Sequence, residues 1–247
     1  FDHYFNRIFL HRYDAFVVLS QQVKNEVLIH KPEAVCLQLS HPSYTQFGSS
    51  CDKSNARESL SIPEKSKVIL FFGLIRDYKG LDILIDTMNH LDESYFLVIA
   101  GEIYGDDKIY HKLITDCANP NIIIKDTYIP DDEVKDYFSA ADLCVLPYKK
   151  GTQSGVQAIS DSFCTPVLVS TNGGLHENII DGTNGFIIDS LESQGLAEKI
   201  KDIFVGGKLN IVTEKLKTLL VQKANEWQKF TQELYDFLEK EKKKKKL

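Results

Sequence analysis

The chain has 247 residues, 43% of them hydrophobic and 26% charged, with a formal net charge of −6. This composition describes a globular protein of one large domain or two modest ones and excludes a disordered, collagenous or coiled-coil chain. Residues 239–247 hold six lysines against two glutamates, a surplus of four, so the rest of the chain stands at −10. An acidic body of that kind argues against nucleic acid as a partner, because such binding rests on clustered Lys and Arg.

The opening FDHYFNRIFLHRYDAFVVLS carries Asp2, Arg7, His11, Arg12 and Asp14 where a signal peptide would be apolar. No run approaches the roughly 18 apolar residues of a spanning helix, which predicts a cytoplasmic protein. The chain starts at Phe1, as helix running into strand, and so reads as a fragment that begins partway through a domain. Apolar runs follow at 15–19 (AFVVL), 68–72 (VILFF), 95–100 (YFLVIA), 122–124, 143–146 (LCVL), 167–169 and 186–188. Each is too short for a buried helix, and the lack of polar alternation fits strands covered on both faces. Helical spacing intervenes at Leu81, Leu84, Ile85 and Met88; at Ile109, Leu113 and Cys117; at Val134, Tyr137, Phe138 and Ala141; and at Val156, Ile159 and Phe163. The βαβα order predicts an α/β fold with a Rossmann-like, doubly wound parallel sheet flanked by helices.

Residues 1–40 supply too little for an independent core. The stretch 41–66 (HPSYTQFGSS and onward), with its prolines and serines, reads as a linker. Residues 67–223 suffice for one domain of ordinary size. Residues 224–247 form a last helix, with Trp227, Phe230, Leu234 and Leu238 on one stripe, and a lysine-rich tail. Cys36, Cys51, Cys117, Cys144 and Cys164 contain no C-x-x-C pair, and the seven histidines lack ligand spacing, so neither a disulfide framework nor a metal site is expected. Cys144 and Cys164 read as core. His176 reads as a solvated helix residue near Gly173 and Gly174.

In an open parallel sheet, ligands bind beyond the carboxyl ends of the strands. VILFF is followed by Gly73-Leu74-Ile75-Arg76-Asp77-Tyr78-Lys79-Gly80, a glycine-bounded loop with two cations that leads into a helix and can hold phosphate oxygens. The same letters also fit an ordinary βα loop with solvated charges. YFLVIA ends in Gly101-Glu102, where Glu102 can accept from a hydroxyl or stand exposed in a tight turn. Tyr128 and Ile129 lie where exposed backbone can pair with a planar base, and Asp131 or Asp132 caps the next helix. LCVL leads into Pro147-Tyr148-Lys149-Lys150-Gly151-Thr152-Gln153-Ser154-Gly155-Val156, where Thr152 or Ser154 caps a helix, Gly155 admits an anion and the lysines add positive potential. Gly173 and Gly174 open a second glycine-bearing helix start. Two such starts on one sheet edge suggest a diphosphate.

The ordered set GLIRDYKGLDILI, LVIAGE, TYIPDDEVKDYFSAADLCVLPY and TQSGVQAISDSFCTPVLVSTNGGLHENIIDGTNGFII resembles the carboxyl-terminal domain of glycosyltransferase family 4, of GT-B fold. DAFVVLSQQVKNEVL resembles the end of that family's amino-terminal domain, and the Trp227 helix resembles the one that crosses back onto it. The resemblance implies a retaining transfer of sugar from a nucleoside diphosphate donor to a sugar or lipid-linked acceptor, without a metal or other cofactor. It implies a phosphate role for Lys79 and, with the cation displaced from the usual place at Leu74, for Arg76; both are the expected catalytic cations. Donor contacts are implied for Gly73, Gly101, Glu102, Tyr128, Ile129, Ser154, Gly155, Val156, Gly173 and Gly174. Thr152 and Ser160 stand where the family has paired glutamates, and can still hydrogen-bond hydroxyls. That departure keeps open the alternative of a nucleotide-sugar-binding module without turnover. The lysine tail adds the expectation of a weak contact with an anionic membrane surface, or else is a solvated helix end.

Overall fold

The computed structural model describes Ile8, residues 10–222 and residues 225–244. The chain divides into two compact units, Phe1–Ser43 with Lys223–Leu247, and Tyr44–Gln222. In the smaller unit, β1 (Ala15–Val18) and β2 (Val35–Gln38) pair in parallel, with Ala15 opposite Val35. They flank α1 (Gln21–His30), whose first turn is capped by Ser20 accepting from the Val23 amide. Val18, Val27 and Ala34 form its small core. The helix α9 (Glu226–Lys244) belongs to the same unit. There the Glu226 carboxylate accepts from both the amide and the hydroxyl of Ser43, at 3.0 Å each, and the Trp227 indole donates to the Ser43 carbonyl at 2.9 Å. Of the predicted stripe on this helix, Trp227 and Leu238 remain exposed. The end of the lysine tail, residues 245–247, lies outside the described residues.

The larger unit is a six-stranded parallel sheet: β3 (Lys67–Phe72), β4 (Tyr95–Ala100), β5 (Ile122–Lys125), β6 (Leu143–Leu146), β7 (Val167–Ser170) and β8 (Phe186–Ile188). The strands lie in the order β5-β4-β3-β6-β7-β8. This is the doubly wound Rossmann order, with the first strand of the unit in the middle. Strand residues alternate between faces. Ile69 and Phe71 of β3 therefore join a core with Leu81, Leu84, Ile85 and Met88 of α3 (Leu81–Met88) and with α7 (Ser193–Phe204) and α8 (Lys208–Gln222). Val68, Leu70 and Phe72 face the other way, against α5 (Val134–Ala140) and α6 (Gly155–Ser162). With both faces covered, every residue from Val68 to Phe72 is buried, which is why no polar alternation is visible in that run.

Two expectations change. The stretch 44–66 belongs to the larger unit instead of linking units, and it carries α2 (Lys53–Ser59), capped by Asp52, with Ala56 and Ile62 buried in the core. Its serine and proline content masked this helix because few apolar residues anchor it. In α4 (Asp107–Asp116) Tyr110 is buried in place of Ile109, which is exposed, while Leu113 and Cys117 pack partly buried against the core as expected. Helices α7 and α8 and strand β2 carry no element assignment in the sequence reading.

One buried charge network fixes the start of β3. Arg57 is buried; its Nε donates to the Ala140 carbonyl, one terminal nitrogen to the Glu64 carbonyl and the other to Asp142 at 2.8 Å. Asp142 in turn accepts from the Val68 amide at 2.8 Å and pairs with Lys53. Removing one partner from such a network strands the others. Arg57→Met is expected to destabilise the protein by about 3 kcal/mol, measured by urea unfolding.

Candidate functional site

The order of the sheet reverses between β3 and β6, and an open parallel sheet leaves its crevice at that point. The loop after β3 leaves at Gly73 (φ +91°) and makes one 3-10 turn, Asp77–Lys79. It enters α3 through Gly80 (φ +73°), where a Cβ would stand 2.1 Å from the Pro147 carbonyl oxygen. Only glycine allows this loop to lie against the loop that follows β6. Lys149 fastens the two loops. Its amide donates to the Tyr78 carbonyl at 2.7 Å, and its ammonium donates to Asp77 and Asp82 at 3.0 Å each. Burial works against the charge on Lys149, but the hydrogen bonds to Asp77 and Asp82 outweigh it and raise its pKa. Lys149 is thus held as a strap between loops.

Lys79, on the same turn, is in the opposite condition. It is 8% exposed, and among the described residues no carboxylate pairs with it. Its ammonium stands 5.5 Å from the centre of the Tyr148 ring. Burial first, and then repulsion from Arg76, lower its pKa to about 8, only partly offset by Cys144. A buried lysine that no carboxylate among the described residues pairs with is the electrostatic complement of an anion. Across the cleft, α6 begins. Ser154 occupies its N-cap position, yet the hydroxyl lies 3.1 Å from the Tyr148 hydroxyl and does not cap the helix. The first-turn amides of Gly155 and Val156 are therefore left without a side-chain acceptor, at the positive end of the helix dipole. Gly73, Lys79, Ser154, Gly155 and Val156 line one cleft of about 370 Å³, a size that suits part of a small molecule.

The other predicted residues fall outside this lining. Arg76 is exposed, with its guanidinium 4.6 Å from the Tyr104 ring centre, and acts on Lys79 only through its charge. Gly101 supports the site from beneath, since a Cβ there would meet the Gly73 carbonyl oxygen at 2.3 Å. Glu102 is exposed. Tyr128 is exposed and its hydroxyl donates to Asp131 at 3.3 Å, while Ile129 is buried in the core. Thr152 is half-buried beside the cleft. Ser160 is fully buried and its hydroxyl donates to the Thr165 carbonyl at 2.8 Å, so it is engaged within the fold and is not turned toward a ligand hydroxyl. Gly174 donates to the Gly151 carbonyl at 2.9 Å, and Gly173 (φ +104°) approaches the same oxygen so closely that a Cβ would stand 1.8 Å from it. These two glycines brace the loop after β6. The Nδ1 atom of His176 is buried and unpaired, which corrects the solvated reading of that residue.

The cleft also holds aromatic residues that sequence reasoning missed: Tyr44, Phe47, Phe72 and Tyr78. The signal for the first two was an aromatic pair in an otherwise polar stretch. Among the described residues there is no group of three or more His, Cys, Asp or Glu side chains that could hold a metal ion, and no helix is long and apolar enough to cross a membrane.

Residues 52–210 match the sequence profile described as glycosyl transferases group 1. The D-inositol 3-phosphate glycosyltransferase of Xylanimonas cellulosilytica is 29% identical over 136 residues, which is 54% of this chain and 33% of that protein. The lipopolysaccharide 1,2-N-acetylglucosaminetransferase of Salmonella typhimurium is 24% identical over 212 residues, 76% of this chain and 53% of that protein. The chain thus spans between a third and about half of these curated relatives. The structure of Anabaena HepE in complex with UDP-glucose superposes with a TM-score of 0.81 at 17% identity, covering 97% of this chain and 70% of that one.

The strap has a measurable consequence. In Lys149→Met the loop bearing Lys79 loses the tie from its Asp77, and from Asp82 of α3, to the loop after β6, and water gains access to the ammonium. The Lys79 pKa, followed by NMR of its side chain, is expected to rise from about 8 toward the ordinary lysine range.

Proposed function

The chain belongs to the glycosyl transferases group 1 family, and on that premise we propose that the switch-point cleft binds the diphosphate of a nucleoside diphosphate sugar. The whole protein then transfers that sugar to a hydroxyl of a sugar or lipid-linked acceptor, in polysaccharide, lipopolysaccharide or glycoconjugate synthesis. The observation that carries this reading is Lys79, a buried ammonium that no carboxylate among the described residues pairs with, lining one cleft with the uncapped start of α6. As the bond between the sugar and the distal phosphate breaks and the acceptor hydroxyl adds to the sugar, charge accumulates on the departing diphosphate. Lys79 and the α6 amides stabilise that charge without reorganising. Arg76 adds positive potential from outside the lining.

Within group 1 we assign the chain to family 4, with retention at the sugar carbon and charge neutralised by Lys79 and the helix start instead of a metal or other cofactor. The named activities of the relatives favour turnover over a binding module without it. The proposal places the enzyme in the cytoplasm, peripheral at an anionic membrane surface through the lysine run of which Lys242 and Lys243 are exposed. Vesicle sedimentation is expected to lose binding when residues 242–246 are removed.

Calorimetric titration with UDP, GDP and ADP is expected to give saturable binding to one of them, and Lys79→Ala to weaken it at least tenfold, about 1.4 kcal/mol. Lys79 is charged below its pKa of about 8 and neutral above it, so affinity falls as pH rises from 7 to 9.5. A bound anion raises that pKa, so binding near pH 8.5 takes up protons. Equal affinity in Lys79→Ala would sink the phosphate assignment.

A further inference from the structure

Tyr148, in the loop that follows β6, is almost wholly buried, at 1% exposure, and lines the switch-point cleft together with Ser154. Its place is fixed from two sides. The Ser170 hydroxyl donates to the Tyr148 carbonyl at 2.6 Å, and the Tyr78 ring meets the Tyr148 ring edge-on at 5.9 Å between centres. A buried phenol needs an acceptor for its hydrogen. Among the described residues, the partner of the phenolic oxygen is the Ser154 hydroxyl, 3.1 Å away. Of the two oxygens the phenol is the stronger donor and the poorer acceptor. Burial raises the Tyr148 pKa by more than the bond with Ser154 lowers it, so the proton stays on the phenol. Tyr148 therefore donates to Ser154, and the serine keeps a hydroxyl hydrogen of its own.

That hydrogen sits at the start of α6. The Ser154 backbone has the extended conformation of a capping residue, yet its side chain takes no first-turn amide. Three kinds of donor then meet in one cleft: the Lys79 ammonium, the first-turn amides of α6 and the Ser154 hydroxyl. A ligand that suits all three is rich in anionic oxygen, and O–H donors to such oxygens make short, charge-assisted bonds. We infer that Tyr148 is a positioning residue, whose hydroxyl holds Ser154 so that the serine donates its own hydrogen to a diphosphate oxygen at the start of α6. This inference rests on the donor reading under Proposed function and adds to it the residue that orients one of the contacts.

The test is calorimetry at pH 7 on the unaltered chain, Tyr148→Phe, Ser154→Ala, the double variant and Lys79→Ala, using whichever of UDP, GDP and ADP binds, together with its nucleoside. Tyr148→Phe keeps the ring beside Lys79 and Tyr78 and removes only the hydroxyl. Ser154→Ala alters a half-buried side chain, so it reads the serine contact on its own, whatever the folding stability of Tyr148→Phe. The expected result is diphosphate binding about tenfold weaker in Ser154→Ala and about threefold weaker in Tyr148→Phe, with nucleoside binding unmoved. The double variant is expected to bind as Ser154→Ala does, since no serine hydroxyl is left to orient. Unchanged diphosphate affinity in Tyr148→Phe or in Ser154→Ala, with Lys79→Ala weakened, overturns this inference alone. A Tyr148→Phe loss that recurs in full in the Ser154→Ala background also overturns it, because the phenol would then act through something other than the serine. So does an equal loss for the nucleoside. Absence of any nucleoside diphosphate binding by the unaltered chain overturns the donor reading, and this inference falls with it.

Discussion

A buried ammonium without a carboxylate is costly, because taking a charge out of water is offset only when an opposite charge or several hydrogen bonds meet it. Lys79 is in this condition in a chain that pairs Lys149 with two aspartates only a few residues away in space. Carboxylates are therefore available at the site, yet they are spent on the strap and not on the cleft. Much of the surrounding structure acts to keep this arrangement. Glycines at 80, 101 and 173 let backbone meet backbone where any side chain would intrude. Ser154 turns its hydroxyl toward Tyr148 and leaves the helix start open.

The sheet order explains why these pieces converge. Of the two strands at the reversal, β6 is buried throughout and β3 from Val68 onward, so the loops they release start from fixed positions. At the opposite end of β3, Arg57 and Asp142 hold the Val68 amide and the edges of α2 and α5 together. The strand is thus anchored at its beginning by a buried ion pair and at its end by close glycine contacts. A cleft built on such a strand is set before any ligand arrives, which is the condition for electrostatic stabilisation to be effective.

Most of the fold was legible in the letters because covered strands leave a plain mark, a short run without polar alternation, and seven of the eight described strands of the chain carry it within a residue of the observed bounds or at them. β2 (VCLQ) was not legible, since its residues are only partly covered and its pattern is mixed. The helix α2 escaped because its core contribution is Ala56 plus a buried Arg57, and a charged residue on the core face inverts the usual signal. In the site, Gly73, Lys79, Ser154, Gly155 and Val156 could be read from their places after strands. The internal engagement of Ser160 could not, because its partner, the Thr165 carbonyl, is a backbone atom that no side-chain pattern reveals. Tyr44 and Phe47 were hidden for a different reason: they reach the cleft through tertiary folding of a stretch with no periodicity at all.

The two units differ in how the chain builds them. The larger one is continuous from Tyr44 to Gln222, whereas the smaller one needs residues from both sides of it. During synthesis from the amino terminus, the sheet and both of its cores can form while the smaller unit still lacks α9. The Ser43 amide, hydroxyl and carbonyl wait for Glu226 and Trp227, which emerge some 180 residues later. Since domains fold as units in the order of their completion, the six-stranded sheet is the nucleus around which the chain finishes. A lesion in α9 therefore leaves that sheet folded and strands the first 43 residues, so proteolysis of such a variant would trim the amino-terminal segment and spare the cleft.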